Sequence, residues 1–283
     1  MIKITMAVKI VADSACDLPE ELVQSAGVSV VPLTVRFGDE QFFDRGGLSS
    51  QEFWERCARQ SSLPETSAPS PGQFSEAFIK AAEEGNDAVV CITLSSELSS
   101  TFQSARTAAT SVASTIPVHV VDSRTATMGT GLQVLHAAEL AAASLNADKI
   151  ISAITALSKR IRLFAVLDTM EYLKRGGRIG SAKALVGSLL SIKPVVTTKN
   201  GLVELVSKQR TRARSLQYLV DKVARCGNIT RLAVMHAQAP DLEELLAPLR
   251  KLQPKAQIIV NGIGPVIGTH VGPGAVGIVY AES

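Results

Sequence analysis

The stretch "AVVCITLSSELSSTFQSA" (Ala88–Ala105) decides how the chain is read. Ala88–Ile92 is apolar, largely β-branched and short, the pattern of a buried strand. Seven Ser and Thr residues follow between Thr93 and Ser104, and no Gly or Pro interrupts the run until Pro117. That run reads as a helix starting near Ser99. In an open parallel sheet, ligands lie beyond the carboxyl ends of the strands, and the free N–H groups of a helix start favour an anion. Hydroxyl donors with no adjacent Lys or Arg suit a carboxylate or a neutral head group better than a triphosphate. A plain helix cap at Ser99 accounts for the same residues.

The same alternation extends on both sides. Val8–Ala12 is expected as a strand, "DSACDLPEELVQSAG" (13–27) as turn, helix and Gly27 stop, and residues 28–37 as a second strand interrupted by Pro32. Ser49–Glu52 and Ser70–Gln73 carry the capping-box pattern, with Pro71 at a first helical position. A strand at 117–122 and an Ala-rich helix near 125–145 complete a half that predicts a parallel α/β sheet. Beyond it, Asn200-Gly201 between two strand-like runs is a strong hairpin signal. Helices at 211–225 and 241–252 and strands at 231–237, 256–263 and 276–281 suggest a mixed sheet. The expected fold class is α/β, with an N-terminal parallel α/β domain (1–165) and a C-terminal mixed α/β domain (166–283).

The chain has 283 residues, 46% hydrophobic and 19% charged, enough for a sizeable core and unlike a disordered chain. No apolar run is long enough to cross a membrane, and the N-terminus reads as a strand rather than a signal peptide. Cys16, Cys57, Cys91 and Cys226 are scattered, which argues against a zinc site and suits reduced thiols in a cytoplasm. The net charge of +3 hides an asymmetry: Lys159–Arg231 holds sixteen Lys and Arg against four Asp and Glu. Such a block implies an anionic partner. With aromatics at 4%, a single-stranded nucleic-acid groove has little support.

"GPGAVG" (272–277) matches a dinucleotide fingerprint, yet only six residues follow it, so no helix and return strand can form. It reads as a turn needing positive φ or close backbone approach. His119 and His136 read as ordinary strand and helix residues. His270, within "GIGPVIGTHVGPGA", is positioned by the backbone of a Gly-rich loop and is a candidate ligand contact.

In order along the chain, "VADSACDLP", "VPLTVRFGDEQFFD", "TSAPS", "LSSELSSTFQSA", "VDS", "LKRGGRI", "LLSIKPVV", "KQRTRA" and "IGTHVGPGA" resemble the sequence blocks of the DegV family of bacterial fatty-acid-binding proteins. The resemblance implies two α/β domains with a fatty acid in a tunnel between them. It also implies a non-catalytic role, in which the bound acid is presented to a separate fatty acid kinase that forms an acyl phosphate. Carried over, it assigns the carboxylate to Thr66 and Ser96, with Ser99 and His270 close by, and the kinase contact to Arg178, Arg210 and Arg212. No cofactor or metal is implied. One departure stands out, since the family's Ser-Gly-Thr-Tyr is Ser99-Ser100-Thr101-Phe102 here. Two other readings remain. One is an acyl hydrolase using Ser95, Ser96 or Ser99 with His270 as base. The other is a basic nucleic-acid-binding regulator acting through residues 159–231.

Overall fold

A computed structural model describes residues 7–60, 62–180 and 192–282. Residues 1–6, and parts of the "LKRGGRIGSAK" and "LLSIKPVV" segments (181–191), lie outside them. Among the described residues, thirteen strands form three sheets.

The first sheet is parallel, in the order β2 (Ser29–Val31), β1 (Val8–Asp13), β6 (Ala88–Thr93), β7 (Val118–Asp122). Every residue of β6 is buried, as expected for a strand covered on both faces. On one face Phe74 and Phe78 of α3 (Pro71–Glu83) and Ala105 and Ala108 of α4 (Thr101–Ser111) pack on Val11, Val89 and Cys91. On the other, α5 (Met128–Ala142) and α6 (Ala147–Ser158) cover Ile10, Val90 and Ile92. The expected single strand over 28–37 is two strands in two sheets. Pro32, with no N–H to donate, separates β2 from β3 (Thr34–Phe37). β3 instead centres a small antiparallel sheet with β4 (Glu40–Phe43) and β5 (Glu65–Ser67). Two short helices, α1 (Glu20–Ser25) and α2 (Ser50–Arg59), connect these parts.

The third sheet is mixed, in the order β10 (Leu202–Gln209), β9 (Lys193–Lys199), β8 (Ile161–Val166), β13 (Val276–Ala281), β11 (Arg231–His236), β12 (Gln257–Gly262). Only β11 and β12 pair in parallel. The β9–β10 hairpin turns at Asn200 and Gly201, with φ of 52° and 84°, the conformation a tight two-residue turn demands. Alternation divides the two faces of the sheet. Phe164, Val166, Val234 and Ile278 pack under α8 (Arg212–Ala224) and α9 (Leu242–Leu252). Leu163, Val196, Met235 and Val279 face the other way and join the same core as Ile10, Val90 and Ile92. One apolar cluster therefore spans both domains. The division drawn between residues 165 and 166 runs through β8, and we place it at the turn Lys159–Arg160 instead. The remaining helices, α7 (Glu171–Arg175) and α10 (Pro265–Val271), lie at the junction, where α10 touches α7, β3 and β5.

Candidate functional site

Between the domains lies a cavity of about 320 Å³. Its polar end is formed by Thr66, Ser99, Arg178 and His270, and Leu33, Leu94 and Val266 line the rest. Leu98, Ala126, Leu173, Val203, Ile267 and Val271 are shared with a second chamber of about 80 Å³. That chamber is closed by Ala165, Val196, Met235, Ala275, Gly277 and Val279. Thr197 and Thr198 border it too, but their hydroxyls are engaged, Thr197 donating to Leu163 O at 2.6 Å and Thr198 sharing a 2.9 Å hydrogen bond with Thr125. The two chambers form a slot that is hydroxyl-rich at one end and apolar at the other.

Thr66 and His270 come from opposite ends of the chain, 204 residues apart, and meet at 3.0 Å between Oγ1 and Nε2. Thr66 sits on β5, an edge strand of the small sheet, and His270 on the last turn of α10. Burial, with the Arg178 charge adding to it, pushes the imidazole down to about 4, so the ring is neutral at neutral pH. Arg178 is held by backbone oxygens, its Nε donating to Leu98 O at 3.0 Å and its Nη1 to Gly176 O at 2.6 Å. Gly176 is required by close approach: a Cβ there would run into His270 Nδ1. Thr66, Arg178 and His270 also border an outer cavity of about 390 Å³ with Glu65 and Arg175. They are the wall between the slot and the surface.

Ser99 lines the cavity, but it is not the expected helix cap: the N-cap of α4 is Ser100, which makes no side-chain capping bond, and Ser99 Oγ accepts from Thr101 N at 3.3 Å just before the helix. Ser96 stands apart from the other expected head-group residues. It is exposed, and its hydroxyl donates to Asp122 Oδ2 at 2.6 Å, beside Arg124. Asp122 closes the parallel sheet at the end of β7 and draws that hydroxyl away from the cavity. Of the three arginines, only Arg178 reaches the site. Arg210 is exposed in the bend after β10. Arg212 grips Asp241 through two hydrogen bonds of 2.7 and 2.9 Å and lies 3.6 Å from Asp168. Arg212 belongs to the first turn of α8.

The family model described as "Uncharacterised protein, DegV family" matches residues 7–283. A DegV domain-containing protein of Streptomyces coelicolor is 37% identical over 279 residues, covering 97% of this chain and 98% of its own length. The chain belongs to the DegV family. Among solved structures, DegV of Bacillus subtilis, described as a fatty acid binding protein, superposes with a TM-score of 0.90 at 32% identity, covering 98% of this chain and 100% of the other. A DegV family protein of Thermus thermophilus, whose structure is described by its fatty acid binding, gives 0.89 at 32% identity with the same coverage.

Measured against the DegV blocks, the departure at Ser100 is well tolerated. Its φ and ψ of −73° and 2° suit any L-residue, and its side chain lines the cavity mouth, where the family's Gly would place none. Phe102 lies off the cavity, its ring under Arg106 with 5.9 Å between guanidinium carbon and centroid. Ser67 also lines the cavity and was not singled out in the sequence, although β5 sets it beside Thr66. The hydrolase reading needs a serine on His270, whereas the ring nitrogen meets Thr66, and Ser95 donates to Gly201 O at 2.8 Å. Three arginines of the basic block, Arg212, Arg231 and Arg162, are paired from outside it by Asp241, Glu139 and Glu282. Among the described residues, no helix is long and apolar enough to cross a membrane and no group of three His, Cys, Asp or Glu could hold a metal.

Proposed function

We propose that the protein binds one long-chain fatty acid, its carboxylate held by Thr66, Ser99 and His270 beside Arg178 and its chain running into the apolar chamber. The observation that carries this reading is the slot itself, which is apolar along its depth and closed at one end by hydroxyls, a neutral imidazole and a guanidinium. A carboxylate taken from water is costly unless hydrogen-bonded, and charge-assisted hydrogen bonds offset that cost by about 1.5–3 kcal/mol each. About 15 buried methylenes contribute roughly 12 kcal/mol gross, before the costs of ordering. The DegV relatives described as fatty acid binding support the ligand class.

On this reading the protein is a cytoplasmic carrier without catalysis of its own, and a separate fatty acid kinase phosphorylates the carboxylate. The outer cavity supports this, because it reaches Thr66, Arg178 and His270 from the surface and offers Arg175 and Arg178 to an incoming phosphate. Arg210, exposed near the hairpin, is assigned to the kinase contact, while Arg212 is committed to Asp241. The test is organic extraction of the purified protein followed by mass spectrometry. A fatty acid near one per chain is expected. An extract that stays empty after incubation with palmitic and oleic acids overturns the reading.

A further inference from the structure

His270 can meet Thr66 only if α10 is held in place, and α10 is a seven-residue helix with little of its own to fix it. The first N–H groups of any helix lack intrahelical partners. Here two of them are taken by carboxylates from the other end of the chain. Gly264 N donates to Asp17 Oδ1 at 3.1 Å, and Val266 N donates to Asp44 Oδ1 at 3.1 Å. Both carboxylates are buried, with exposures of 4% and 7%. Asn261 Nδ2 adds a third strut, donating to Asp17 O at 3.0 Å.

The local structure is shaped around these contacts. Asp17 ends the single 3-10 turn at Ser14–Cys16 in the left-handed region, with φ of 50°. A non-glycine residue there carries strain that the surroundings must hold. Asp44 is fixed by its own backbone, its N–H donating to Leu33 O at 2.9 Å across the small sheet. Gly264 has an ordinary φ of −67°, so its lack of a side chain serves space, since a Cβ would lie 2.7 Å from Asp17 Oδ1. Midway along the helix Gly268 lies over Phe53 and Trp54.

We propose that Asp17 and Asp44 are positioning residues for the head-group site, carboxylates of the N-terminal domain that hold the first turn of α10 and thereby set His270 against Thr66. Its bearing on binding rests on the assignment of His270 to the fatty-acid carboxylate. Burial pushes the Asp17 carboxyl up to about 7 and raises that of Asp44, the cost of holding acids in this place.

The test follows the His270 ring by NMR titration without added lipid, and separately the affinity for palmitic acid. In Asp17→Ala, Asp44→Ala and Gly264→Ala proteins the ring gains water, so its midpoint climbs from about 4 towards the ordinary 6.5. Palmitic acid then binds roughly tenfold more weakly in these proteins, the scale of one lost hydrogen bond. Asp17→Asn and Asp44→Asn keep an acceptor oxygen and restore both readouts. In the unaltered protein the Gly264 and Val266 amides exchange slowly with solvent, a measurement that holds even if an alanine variant does not fold. Fast exchange at both amides, an unmoved His270 midpoint in the folded variants, or asparagine variants as damaged as the alanine ones would each overturn the proposal. A protein that takes up no fatty acid at all removes the head-group reading, while the His270 midpoint still decides the positioning.

Discussion

Thr66 and His270 form the smallest unit of the site, and two predictions belong to them. Thr66→Val removes the hydroxyl but keeps the shape, so fatty-acid affinity should fall by about 5- to 30-fold, the equivalent of ~1–2 kcal/mol, with the melting temperature nearly unchanged. Isothermal titration with palmitic acid and a thermal scan check both halves. Gly176→Ala has an acceptable backbone but drives a methyl into the imidazole. It should weaken binding more than Thr66→Val and move the His270 ring signals, whereas unchanged signals would show that the ring has room to spare. The candidate residues were legible because Ser, Thr and His in Gly- and Pro-rich surroundings are conspicuous. What each hydroxyl touches was not. Ser96 and Ser99 lie three residues apart in one segment, and only the position of Asp122 at the end of β7 separates their fates.

At the scale of elements, the long signals were read correctly: β1, β6, β7, the capped starts of α2 and α3, and the β9–β10 hairpin. The elements missed are short or poorly marked. β4 and β5 have four and three residues and exist because β3 pairs with both. α10 is built from a Gly-Pro-rich segment, and the acids holding it are more than 200 residues away. Pairing between distant segments leaves no local period to find. The hairpin carries a prediction of its own. Its tip docks on the N-terminal domain, with Ser95 donating to Gly201 O at 2.8 Å and Arg124 to Asn200 O. Gly201→Ala places an L-residue at a φ of 84°, a conformation that costs roughly 1–2 kcal/mol, and the added methyl also meets Ser95. Urea unfolding should show at least that loss, and hydrogen exchange should quicken in β9 and β10 before it does in the parallel sheet.

For the whole molecule, the charge asymmetry was plain in the sequence but its partial offset was not, since Glu139, Asp241 and Glu282 lie outside the basic block. The balance of titrating groups predicts how stability follows pH. Asp13 and Asp17 are both pushed up to about 7, chiefly by burial. When folded they keep protons that the unfolded chain releases near pH 4. Their contribution is therefore full below about pH 4 and is lost as pH rises towards 7. His270, pushed down to about 4, acts in the opposite sense, and its contribution fades as pH falls from 6.5 to 4. Asp13→Asn removes one of the two acids, and urea midpoints measured from pH 4.5 to 7.5 should fall less steeply with pH than those of the unaltered protein. An identical slope would mean that the Asp13 carboxyl titrates normally.

The core cluster shared by the two domains bears on time as well as on stability. Leu98, Leu173, Val203 and Ile267 border the slot, and Leu173 and Val203 belong to the cluster that joins the sheets. On the proposed function, an acyl chain in the slot would be packed against the seam between the domains. Its residence would then depend on how readily that seam loosens as well as on the grip on its carboxylate. Such a carrier would hold its cargo longest where nothing loosens the junction between the halves.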